Sequence, residues 1–182
     1  MKTVLTIAIL VLIVVVILAG WFFGGGVYNI AASKPHSEVV RWVFTNVRDQ
    51  SIDRHSRGIE TPSLDNLALI KKGAREYDEE CAICHGAPGK KRTEVAKGLN
   101  PEPPDLDKGE VQKKYSDPEL YWIIEHGIRM TGMPAFGPTH NKEEIWRLVA
   151  FVKHLPNMKA QEYKGMAQAS EHKMASTEHH PG

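Results

Sequence analysis

The apolar positions of the chain form one unbroken block followed by four periodic stretches. The block runs from Val4 to Phe23, twenty residues without a charge, with only Thr6 and Gly20 interrupting its apolar character. As a helix it would be about 30 Å long, the thickness of a bilayer's hydrocarbon core. Trp21, Phe22 and Tyr28 gather at its far end, where a membrane helix carries its interfacial aromatic belt. A cleaved signal peptide competes with this reading, but its apolar region is ordinarily about 7 to 15 residues. Ala31-Ala32-Ser33 offers a small-residue cleavage site well beyond the block. The block therefore reads as an uncleaved transmembrane anchor, and residues 1–33, with the Gly24-Gly25-Gly26 break, as one segment.

Residues 34–62 form the second segment. Val39, Val40, Val43, Phe44 and Val47 fall on one face of a helix. Two uses of that stripe stay open: packing on the adjacent domain, or docking on a membrane surface or partner. Gly58 to Pro62 reads as a linker. The third segment, 63–156, holds three further helical stretches. Leu64, Leu67, Ala68, Ile70, Ala74 and Tyr77 follow a candidate cap at Ser63. Ser116-Asp117-Pro118-Glu119 opens a helix with Leu120, Tyr121, Ile123 and Ile124 in its core face and Gly127 at its end. Ile145, Trp146, Leu148, Val149, Val152 and Leu155 line a closing helix from Glu143 to Leu155, stopped by Pro156. Beyond it the large aliphatics vanish, so 157–182 reads as a flexible polar tail. Its Met158, Met166, His172, Met174, His179 and His180 are metal-binding residue types, but no fixed spacing defines a site, and a solvated tail is expected.

Composition narrows the function. Across 182 residues the net charge is +1, which gives no broad attraction to nucleic acid, and no nucleic-acid partner is expected. The chain has two cysteines, and they stand together as Cys81-Ala82-Ile83-Cys84-His85. In C-x-x-C-H each thiol can add to a vinyl group of haem, and the neighbouring imidazole can ligate the iron. A structural zinc site needs four ligands, and no second Cys pair or finger-spaced His pair exists. A thioredoxin-like redox pair needs a βαβ context, which the helical flanks do not supply. A plain disulfide or two structural thiols remain compatible with the motif taken alone.

Cys81 to His85, together with Gly73-x-x-x-Tyr77-x-x-x-Cys81, resembles the class I cytochrome c family over about residues 64–156. The resemblance implies an all-α, class I cytochrome c fold around one covalent haem c, here preceded by one N-terminal transmembrane helix. It implies that the closing helix crosses the first haem-domain helix near Gly73 and Tyr77. The prolines of Asn100-Pro101-Glu102-Pro103-Pro104-Asp105-Leu106 lack backbone donors and dictate an extended loop. A ligating histidine needs a fixed carbonyl for its Nδ1–H. Pro104-x-Leu106 is similar to the family's Pro-x-Leu, which implies that the Pro104 carbonyl accepts from His85 and that Leu106 packs on haem. Gly132-Met133-Pro134 resembles the family's methionine-ligand loop, which implies iron ligation by His85 and Met133. Met130 is the rival sulfur, and a methionine without that context is a core filler. Lys90-Lys91-Arg92 reads as a solvated face, with an acidic redox partner as the alternative.

Two axial ligands leave no vacant position on iron, so the implied role is an electron carrier and not an enzyme. The expected function is single-electron transfer between respiratory redox partners such as a quinol-oxidising complex, a dehydrogenase or a terminal oxidase or reductase. The alternatives are a fixed haem-bearing subunit of such a complex, or a haem enzyme or gas sensor with an open sixth site. Lys2 is the only charge ahead of the span and gives a weak positive-inside signal. Cytochromes of this type mature outside the cytoplasm. The resemblance therefore implies a single pass through the cytoplasmic (inner) membrane with the haem domain on the periplasmic or outer face.

Overall fold

The computed structural model describes residues 1–168, and the regular structure among them is helical. The chain divides into two compact units, Met1–Lys34 and the part from Pro35 onward. The first unit holds α1, Lys2–Gly24, which is long and apolar enough to cross a bilayer and buries none of its residues within the protein.

The second unit contains α2 (Glu38–Ser56), α3 (Leu67–Glu80), α4 (Ala82–His85), α5 (Glu94–Lys97), α6 (Glu110–Lys114), α7 (Asp117–His126), α8 (Lys142–His154) and α9 (Ala160–Gln168). The helix starts follow their capping chemistry. α3 begins one turn later than the Ser63 cap would place it, because Asn66 is the residue whose side chain accepts from Ala68 N–H at 2.9 Å. Ser116 and Glu119 form a capping box at α7, where the Glu119 carboxylate accepts from Ser116 N–H at 2.7 Å. Asn141 and Glu144 form another and start α8 at Lys142.

The core is built on the crossing of α3 and α8. A Cβ placed on Gly73 would lie 2.1 Å from the Arg147 carbonyl oxygen and 3.0 Å from Phe151 Cβ, so only glycine permits this approach. One turn on, the Tyr77 ring lies 5.2 Å from that of Phe151, and both side chains are fully buried. The expected crossing is therefore present. It also encloses an ion pair, Glu76 Oε1 to Arg147 Nη1 at 3.2 Å. Burial raises the Glu76 carboxyl above its ordinary value, and the opposing pull of Arg147 does not reverse this.

Residues 157–168 are not the flexible polar tail that composition suggests. The Leu155–Asn157 turn leads into α9, which packs on α3. Met158, Tyr163 and Ala167 are buried, and Met166 lies against the same core, so these methionines pack and do not gather as a metal site. Sparse but correctly spaced apolar residues suffice here because Asp78 on α3 anchors the helix. It accepts from Tyr163 Oη at 2.5 Å and from Lys90 Nζ at 2.6 Å. The remaining tail residues considered above, His172, Met174, His179 and His180, lie outside the described residues.

α2 belongs to the same unit as α3 to α9 and packs on α7. Its buried residues are Ile52 and Ser56, and Asp49 accepts from Lys114 Nζ and Tyr115 Oη, each at 2.7 Å. The apolar stripe is not the packing face. Val39, Val43, Phe44 and Val47 are all exposed.

Two outcomes follow. Gly73→Ala must push α3 and α8 apart at a backbone contact, which costs about 3 kcal/mol, the upper end for overpacking a core. Thermal unfolding followed by circular dichroism should show a lowered midpoint, and an unchanged midpoint would show that the crossing is not close-packed. The second outcome concerns pH. Burial alone would raise the Asp78 carboxyl, but hydrogen bonds from Lys90 and Tyr163 win and hold it below its ordinary value of 3.8. A carboxylate lowered on folding contributes stability that is present above its unfolded value and lost as pH falls through the lower folded value. Hydrogen exchange in α9, corrected for intrinsic rate, should therefore rise on acidification below about pH 4. In Asp78→Asn that rise should be absent.

Candidate functional site

The C-x-x-C-H stretch folds as a single helical turn. The N–H groups of Cys84 and His85 both donate to the Cys81 carbonyl, at 3.0 and 2.9 Å, so two thiols and an imidazole leave one turn of backbone. The turn is fixed at both sides. Buried Tyr77 Oη donates to the Gly86 carbonyl at 2.7 Å, and Gly86 takes a φ of 66° that suits glycine. Thr93 donates to the Ile83 carbonyl through Oγ1 at 3.0 Å and through its N–H at 3.2 Å.

Both thiols are free. Burial pushes the Cys81 thiol up to about 12, the opposite of the lowered value that a thiolate redox pair needs. Among the described residues no three His, Cys, Asp or Glu side chains gather in a way that could hold a metal ion, so the zinc reading finds no ligand set.

His85 Nδ1 lies 2.9 Å from the Pro104 carbonyl oxygen. A carbonyl only accepts, so the bond requires the proton on Nδ1 and leaves the lone pair on Nε2 for a ligand. Burial holds the imidazole below its ordinary value, with the carbonyl opposing, which favours the neutral ring that metals bind. Leu106 is buried in the main core, and Pro104 is exposed.

Arg92 is the residue that the basic run concealed. It is neither a solvated charge nor a free docking group. Its Nη1–H donates to the Pro103 carbonyl, its Nη2 pairs with Glu102 at 2.9 Å, and its Nε with Asp105 at 3.1 Å. The guanidinium thus grips the loop on both sides of Pro104 and steadies the carbonyl that orients His85. The signal available in the sequence was the pair of carboxylates at fixed spacing around Pro103-Pro104. Lys90, in the same run, is held by Asp78.

The methionine loop is held by its own backbone. Phe136 and Gly137 N–H donate to the Ile124 and Glu125 carbonyls at 3.1 and 2.9 Å, pinning the loop to the end of α7. Inside it, Ile128 N–H donates to the Met133 carbonyl at 3.2 Å, and Met133 N–H donates to Thr131 Oγ1 at 3.1 Å. Met133 packs, partly buried, on the core that also receives Cys81 and Leu106. Met130 is 74% exposed at a φ of 61°, so it is not a core filler.

Residues 68–152 match the family model described as cytochrome C oxidase, cbb3-type, subunit III. These residues form a cytochrome c domain. Comparison with curated proteins gives no match. The cytochrome c domain spans α3 to α8, with α2 and α9 outside the matched stretch. Its cofactor class is haem c, and the chain's residues fit one. Two free thiols flank one helical turn, the imidazole has Nδ1 committed and Nε2 open, and a thioether sits on the shared core.

If Arg92 holds the proline loop, Arg92→Gln should accelerate amide exchange across residues 99–106 while α3 and α8 keep their protection. The stability loss should be about 2 kcal/mol, as for hydrogen bonds to a charged group. Lys91→Gln should change neither. Unaltered exchange in the loop of Arg92→Gln would remove the arginine from this role.

Proposed function

We propose that the chain is a membrane-anchored monohaem cytochrome c that carries single electrons between respiratory redox partners. The observation that carries this reading is the single C-x-x-C-H turn with His85 Nδ1 fixed by the Pro104 carbonyl, inside a segment that matches a cytochrome c family. Haem c supplies an iron that accepts and releases one electron. Cys81 and Cys84 would tether it through thioethers, and His85 and Met133 would supply the ligands to its iron. Pro104 keeps the imidazole in one orientation and tautomer, and Leu106 supplies apolar wall. With both an imidazole and a thioether committed to the iron, the site would leave no place for oxygen or substrate, which suits a carrier and not a catalyst. α1 keeps the domain at the cytoplasmic membrane, on its periplasmic or outer face.

A second reading has support in the family description, which is that of an oxidase subunit. There the same electron transfer would occur within a fixed complex with a terminal oxidase, not between a quinol-oxidising complex, dehydrogenase or reductase and a mobile shuttle. Copurification from gently solubilised membranes separates the two.

Met133→Ala tests the site. Acidic organic extraction should leave haem on the denatured polypeptide in wild type and variant alike, because the thioethers are elsewhere. The variant should lose the long-wavelength sulfur-to-iron charge-transfer band, bind carbon monoxide readily and show a lowered reduction potential. Met130→Ala should keep the band. Extractable haem, or a wild type that lacks the band and binds carbon monoxide at once, would overturn the proposed site and move an open-site enzyme or sensor ahead.

A further inference from the structure

Within its unit α2 presents the wrong face to water. Its inward row carries Asp49, Ile52 and Ser56, with His55 stacked on Trp122 at 5.8 Å. At 100° per residue the row of Val39, Val43 and Val47, with Phe44 beside it, lies on the opposite side. These four are 71, 42, 63 and 47% exposed, respectively. An amphipathic helix packed on a soluble domain buries such a row. A contiguous exposed apolar patch marks a binding surface.

We propose that the outward row of α2 lies in the headgroup–acyl boundary of the bilayer that α1 crosses. The inference rests on reading α1 as an anchor. Chain length selects this occupant. Thirteen residues, Gly25 to Ser37, join the end of α1 to the start of α2. Fully extended they reach about 45 Å, so the row is kept at high effective concentration beside the lipid surface. The row's composition agrees. It carries no charge from Val39 to Val47, and the polar residues Gln50 and Arg54 follow on the same face towards the C-terminal end of the helix. α2 then lies between the bilayer and α7, and holds the cytochrome c domain at the membrane surface by its other face.

Photo-crosslinking in native membranes tests this on the full chain. p-Benzoylphenylalanine is placed singly at Phe44, Val47, Leu12 and Glu94, and irradiated protein is read by gel and intact mass. Phe44 and Val47 tolerate the probe because both are exposed. The expected result is a phospholipid-sized adduct at positions 44, 47 and 12, and none at 94. A protein-sized adduct at 44 and 47 would overturn the proposal in favour of a partner subunit. Absence of adducts there, with Leu12 still labelled by lipid, would overturn it in favour of a solvated face. Equal lipid labelling at Glu94 would make the contact non-specific and also overturn it. Loss of the lipid adduct at Leu12 would overturn the anchor reading, and the proposal with it.

Discussion

At Gly73 the backbones of α3 and α8 touch, and the geometry of the C-x-x-C-H turn descends from that contact. A side chain there would meet the Arg147 carbonyl, so the approach exists only because the position has no Cβ. The approach brings Phe151 against Tyr77. Tyr77 in turn carries its buried hydroxyl to the Gly86 carbonyl, just beyond His85. One glycine thus links the helix crossing to the backbone that bears Cys81, Cys84 and His85. A buried hydroxyl without an acceptor would be costly, which makes this link specific as well as attractive.

The imidazole is fixed from the other side by a loop that has no regular structure of its own. Prolines give that loop stiffness but remove three of its backbone donors, which leaves fewer N–H groups to tie it down. Arg92 supplies the missing donors through a guanidinium that meets one carbonyl and two carboxylates at once. A lysine could offer neither the planar fork nor the number of donors. The methionine loop solves a similar problem with short hydrogen-bonded turns pinned to the end of α7.

The two helices outside the matched cytochrome c stretch are joined to it by the same device. Asp49 on α2 receives Lys114 and Tyr115, and Asp78 on α3 receives Lys90 and Tyr163 of α9. In both, burial would raise the carboxyl, and the hydrogen bonds outweigh it. Each aspartate is therefore ionised at neutral pH and satisfied from two directions. This polar joint lets α9 dock with few large apolar residues. It also lets α2 dock while its apolar row points away.

The five longest helices, the start of α7 near Ser116 and the apolar face of α8 were legible in the chain, because they depend on residues within a turn or two of one another, whereas the short helices α4, α5 and α6 and the packed α9 were not. So was the grouping of two thiols and an imidazole on one turn, since C-x-x-C-H carries its three groups in five positions. The crossing at Gly73 and the His85–Pro104 bond were accessible only through a family resemblance, and the structure bears both geometries out. Tertiary structure alone decided three further points. Arg92 reads as one charge in a basic run until the fold brings Glu102 and Asp105 to it. Residues 157–168 look too polar to pack until Asp78 and Lys90 are beside Tyr163. The stripe of α2 is evident in the sequence, but periodicity records only that a helix has two faces. Which face meets the protein is set by groups far along the chain, Lys114, Tyr115 and Trp122, and no local pattern encodes them.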